Sequence, residues 1–115
     1  MHHSIAAILE NWVEKINEDE FYFSTVFDPF IQEKTSYEAF DFIPNMLDAI
    51  LETNDDFVAS QLIFYMNCLY GKADTTEIHP ILSQNQEKLE QHIAGLVGHN
   101  AIGEYREFKR DLRLT

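Results

Sequence analysis

The sequence predicts an all-α fold: a compact bundle of six or seven short antiparallel helices. Three observations carry this expectation. Apolar residues recur at helical spacing along nearly the whole chain, and cap residues punctuate it at short intervals. Four glycines and three prolines in 115 residues are too few for a turn-rich β fold. A 45% apolar fraction, with nine Phe, five Tyr and one Trp, is ample for a core. This length suits a single domain spanning 1–115. No repeat at a fixed period stands out, so HEAT-like helix pairs are one possible form of the bundle.

Ser4 can cap a first helix running to about Asp19, with Ile5, Ile8, Leu9, Trp12, Val13 and Ile16 as its apolar stripe. Glu10, Glu14 and Glu18 lie four apart on the other side, a spacing that costs about 0.2–0.5 kcal/mol per like-charged pair. Either this is a solvated face, or it is kept acidic for a partner. Glu18, Asp19 and Glu20 then abut Phe21, Tyr22 and Phe23. Three neighbouring aromatics cannot share one buried helical face, so at least one is partly exposed or the segment is irregular. Tyr22 is the expected interface anchor, with Phe21 and Phe23 packing a helix corner. Asp28-Pro29 marks a turn or the start of a short helix to Lys34 that buries Phe30 and Ile31.

Thr35 or Ser36 can cap the next element, whose buried stripe is Phe40, Ile43, Leu47, Ile50 and Leu51. Pro44 interrupts it. It either kinks a helix from Tyr37 to Thr53 or occupies the first turn of one starting near Asp41, and the second is preferred. The central element is Asp55–Gly71, with N-cap chemistry supplied by Asn54, Asp55 and Asp56 and an end at Gly71. It is apolar almost all round, which marks a buried helix, and too interrupted by Ser60, Gln61 and Asn67 to span a bilayer.

After Gly71, Lys72–Thr76 reads as a linker, and Thr76 as the cap of a brief helix carrying Ile78, Pro80, Ile81 and Leu82. Ser83 and Gln86 match a capping box for a helix that buries Leu89, Ile93, Leu96 and Val97 and ends at Gly98. Asn100 can cap the last helix, with Ile102, Tyr105, Phe108 and Leu112 inward. Arg106, Lys109, Arg110 and Arg113 occupy its later turns, where the helix dipole favours cations.

Net charge is −12, and it is unevenly spread. Thirteen acids face only Lys15 and Lys34 up to Gly71, whereas seven acids and six bases follow. Such a surface repels nucleic acid and anionic membranes and attracts basic proteins, although ordinary solubility also explains it. Met1–Ser4 leads directly into a charged helix, unlike a secretory signal, and lone Cys68 in an apolar helix suits a reducing compartment. A cytoplasmic protein is expected.

Catalytic and cofactor patterns are absent from the sequence. The glycines do not form a phosphate loop, and the carboxylates are too numerous to single out an acid–base pair. His79, His92 and His99 lack zinc spacing and suit surface or capping roles. Cys68 in a buried helical setting is a poor nucleophile. Met1-His2-His3 matches an amino-terminal copper- or nickel-binding pattern, which chance explains as well. No enzyme, cofactor or metal is expected.

The acidic, aromatic run Glu18–Phe30 and the acids Glu38, Asp41, Asp48, Glu52, Asp55 and Asp56 resemble the surface of a bacterial toxin-immunity protein. More narrowly, the chain is similar to the helical immunity proteins of contact-dependent growth inhibition systems. The resemblance implies a stoichiometric inhibitor that neutralises a basic nuclease toxin, most plausibly an RNase, in the cytoplasm. The candidate partner-binding residues are Glu18, Asp19, Glu20, Tyr22, Asp28, Glu33, Tyr37, Glu38, Asp41, Asp48, Glu52, Asp55 and Asp56. The alternative is a helical adaptor or scaffold domain that holds a protein or peptide. Oligomeric state is not legible.

Overall fold

Residues 1–114 are described in the computed structural model, and 76% of the chain is helical. Seven helices form an all-α bundle, with no strand among the described residues: α1 His3–Leu9, α2 Trp12–Glu18, α3 Tyr22–Gln32, α4 Ser36–Glu52, α5 Asp56–Ala73, α6 Pro80–Ala94 and α7 Asn100–Asp111. None is long and apolar enough to cross a membrane.

Helix starts follow side-chain chemistry. Thr35 caps α4 in a full capping box with Glu38, and Asp55 caps α5 by accepting from the Val58 N–H at 2.9 Å. Each satisfies donors that a helix cannot satisfy within its first turn.

Several boundaries differ from expectation, each for a local reason. The first helix is two: Asn11 adopts the left-handed conformation at φ 53°, which asparagine tolerates, and the chain turns there. His2, rather than Ser4, caps α1 through its ring nitrogen. Pro29 and Pro44 lie inside α3 and α4 instead of starting helices. Neither has an N–H for the carbonyl four residues back, but buried side chains on both sides of each proline hold the helix together. Gly71 does not end α5; the helix runs to Ala73, and Asp74 supplies the left-handed cap. The brief helix at Thr76 does not form. His79 caps α6 by accepting from Ile81, so Ser83 lies within the helix and the apparent capping box is a coincidence of spacing. That helix stops at Ala94, which leaves Val97 94% exposed.

Buried side chains from six helices join one core, and α2 adds Trp12 and Ile16 from its edge. Pair contacts fix the helix directions. Phe23 lies against Phe57 and Phe27 against Tyr65, so α3 and α5 run the same way. Asp56 meets Asn100 and Ala101 while Asn67 meets Asp111, so α7 also runs with α5. Phe40 touches Tyr70, which sets α4 antiparallel to α5. Phe40 also touches His79, and His92 meets Thr53, so α6 runs with α4. Helices α4 to α7 therefore alternate in direction, as expected for short connections. They also stack as two helical hairpins. One layer holds α3, α5 and α7, and the other α4 and α6. The shortest dimension, 22 Å, matches two helix diameters of about 10–12 Å.

The central role assigned to Asp55–Gly71 is met by α5. Its back, Ala59, Met66 and Ala73, is buried, and the helix packs most extensively against α4 and α7. Its front remains open, which the near-uniform apolar pattern concealed.

Candidate interaction surfaces

The candidate acids do not form one face. The structure divides them among two surfaces, a corner and three cap positions.

The first surface is the outer side of α4. Because the helix continues through Pro44, Glu38, Asp41, Asp48 and Glu52 share one face. At about 100° per residue they fall within about 80° of each other, and the row is about 21 Å long. All four are exposed. Tyr37 stands beside the first turn of the row, 86% exposed. Few cations relieve this row. The Met1 ammonium reaches Glu52 at 2.7 Å, and Lys34, which covers the rings of Phe30 and Phe42 at 4.0 and 4.4 Å, also acts on Glu38 through its charge. Glu38 has a second role: its carboxylate accepts from the Thr35 N–H at 2.8 Å. That bond and the Thr35 hydroxyl hold its pKa below the usual value.

The second surface is the front of the α3–α5–α7 layer. Phe57, Gln61, Phe64, Cys68 and Gly71 recur along α5 at i, i+4, i+7, i+11 and i+14, opposite the α4 contact. Phe64 is 45% exposed and Phe57 37%. Asp28 flanks the stripe from α3 and Glu104 from α7, close enough that both act on the Cys68 thiol. Burial first, then these two carboxylates, raise the thiol pKa, so Cys68 is a poor nucleophile. Burial and the Glu107 charge raise the pKa of Glu104. Between α3 and the later turns of α5 a depression of about 350 Å³ is lined by Asp28, Ile31, Gln32, Cys68, Gly71 and Lys72.

The remaining residues have other positions. Glu18, Asp19 and Glu20 are exposed at the α2–α3 corner, where an Asp19 carboxylate oxygen accepts from the Phe21 N–H at 3.0 Å. Tyr22 is half-buried and donates its hydroxyl to the Ile8 carbonyl at 2.7 Å, so it braces α1 and is a poor anchor. Phe21, expected in the corner, is instead 65% exposed. Phe21 is the N-cap of α3, seven residues before Asp28. Glu33 is exposed at the α3 C-cap. Asp55 caps α5.

Asp56 is the clear departure. It is buried, and its two carboxylate oxygens accept from the backbone N–H groups of Asn100 and Ala101, each at 3.0 Å. It caps α7 from another helix and is not available to a partner. Asn100 is the first residue of α7 rather than its cap.

The histidines have local roles: His79 caps α6, and the His92 Nε2–H donates to the Thr53 carbonyl at 2.8 Å at the α4 C-terminus. No group of three or more potential metal ligands converges among the described residues. Sequence reasoning missed Phe64, Glu104 and Glu107. Glu104 and Glu107 share one edge of α7 in the nearly neutral half of the chain, so summed charge concealed them. Compared with protein-family models, curated proteins and solved structures, the chain matches none.

Proposed function

We propose that this protein is a stoichiometric immunity protein that binds and neutralises a basic nuclease toxin, an RNase being the fitting class, in the cytoplasm. The observation that supports the reading is the row Glu38, Asp41, Asp48 and Glu52 on one face of α4, with Tyr37 beside it. A nuclease active site is basic because it holds phosphates. A row of carboxylates on a rigid helix matches that charge and displaces the nucleic acid backbone. The long-range field accelerates encounter, and Tyr37 supplies an amphipathic anchor that slows dissociation. The inhibitor needs no catalytic residue of its own; its action is occlusion.

The test is whether the neighbouring upstream reading frame ends in a basic, toxic domain and whether co-expression of this chain rescues growth from it, joined to stopped-flow association of the purified pair. The association rate falls more than about tenfold between about 50 and 500 mM salt. Asp41→Lys with Asp48→Lys abolishes protection, whereas Glu87→Lys on α6 leaves it intact. Binding that ignores both salt and the α4 charges would place the adaptor reading first, with the open aromatics of α5 as its supporting feature.

A further inference from the structure

We propose that the front of the α3–α5–α7 layer is a docking surface for a cationic amphipathic helix of a partner protein, with Phe64 as its apolar floor and Asp28 and Glu104 as its charged walls. This does not rest on the inhibitor reading, which concerns the opposite layer.

Three features select this occupant. Phe57 and Phe64 are two turns apart on one side of α5 and partly open to solvent, so they present ridges to another helix. Asp28 and Glu104 stand on either side of that strip, and neither has an ion pair among the described residues. A partner that covers the strip must bring cations to both edges, because burying either carboxylate unpaired is costly. Lys72 closes the far end of the depression, and Arg110 is engaged by Glu107 and Asp111, so the cations in reach leave the middle of the strip acidic. An extended peptide is a poorer fit. The backbone groups of α3, α5 and α7 are used within the helices, so the surface has no edge to pair with a strand. A helix brings its own backbone bonds and needs only side-chain contacts.

The probe is a labelled synthetic helix about five turns long, with leucines on one face and lysines on the rest. Its binding to the full chain is followed by fluorescence anisotropy, beside a scrambled peptide of equal composition and a version with glutamate for lysine. One peptide binds per chain, and the two controls do not. Phe64→Ala weakens binding at least tenfold, and so does Asp28→Asn with Glu104→Gln. Asp41→Asn with Asp48→Asn leaves it unchanged. Loss of binding in the α4 variant, equal binding of the scrambled peptide or no saturable binding overturns the proposal. Light scattering supplies a further check: a dimer abolished by Phe64→Ala would give this face to a second copy and overturn it too. Because the α4 and front variants are separate, failure here leaves the toxin-rescue result standing, and the reverse holds as well.

Discussion

The Asp56 carboxylate caps a helix that starts 44 residues later, accepting the N–H groups of Ala101 and Asn100 at 3.0 Å each. The bond ties the start of α5 to the start of α7 and sets the two helices side by side. It places Glu104 at the edge of the α5 stripe. Loss of both bonds in Asp56→Ala lowers stability by about 2–3 kcal/mol, as expected for charge-assisted bonds at a cap. Urea unfolding measures this, and Asp56→Asn retains part of it.

The same pair makes stability depend on acid. Burial disfavours the charged Asp56, but the N–H groups of Ala101 and Asn100 outweigh it and hold the carboxyl below its ordinary value of 3.8. A depressed folded pKa contributes stability fully above the unfolded value and loses it as pH falls through the folded one. The contribution of Asp56 is therefore intact near neutrality and fades below about pH 4. Thermal melts of wild type and Asp56→Asn converge as the pH is lowered through that range.

Gly98 is dictated by this contact. It sits at φ +137°, and a Cβ there would overlap the Asp56 carboxylate at Oδ2 and Cγ. Gly98→Ala should cost about 2 kcal/mol or more, since both the backbone and the carboxylate must move. Gly103 is the contrast: it is helical, and a Cβ there would meet nothing within 4 Å, so Gly103→Ala should stabilise by about 0.5–1 kcal/mol. Equal effects of the two changes in urea melts would refute the geometry.

These residues also show what the sequence made legible. Helix type followed from apolar spacing, whereas the count agrees only because the break at Asn11 offsets the helix that does not form at Thr76; the Thr35–Glu38 and Asp55 caps follow from local chemistry within three residues. Asp56 looks the same as Asp55 in sequence, because its partners are 44 residues away. Pro29 and Pro44 carried a local breaking signal that burial of Phe27, Ile31, Ile43 and Leu47 overrode. The aromatics at 21–23 showed that one must be open, but not which. Tyr22 turned inward because its hydroxyl reaches the Ile8 carbonyl. The front surface was the least legible part, since it draws on three helices far apart in the chain.

Cys68 reports on that surface chemically. Burial and the Asp28 and Glu104 charges raise its pKa above the ordinary 9.0, so the thiolate fraction is small near neutrality. Its alkylation by iodoacetamide is slower than that of a free thiol at pH 8 and keeps rising with pH beyond 9. Asp28→Asn with Glu104→Gln lowers the pKa and speeds the reaction at pH 8. A rate unchanged by the double substitution would show that burial alone governs the thiol.

Glu38 belongs both to the α4 row and to the cap of its helix, and two substitutions separate these roles. Thr35→Ala removes the hydroxyl that accepts from Glu38 and lowers stability by about 1 kcal/mol without altering surface charge. Glu38→Gln keeps an oxygen able to accept from the Thr35 N–H, so the fold loses less than in Thr35→Ala while the row loses a charge. If the α4 row steers a basic partner, Glu38→Gln slows association and flattens its salt dependence, and Thr35→Ala does neither. The opposite pattern would assign Glu38 to the cap alone and leave the outer charge of α4 to Asp41, Asp48 and Glu52.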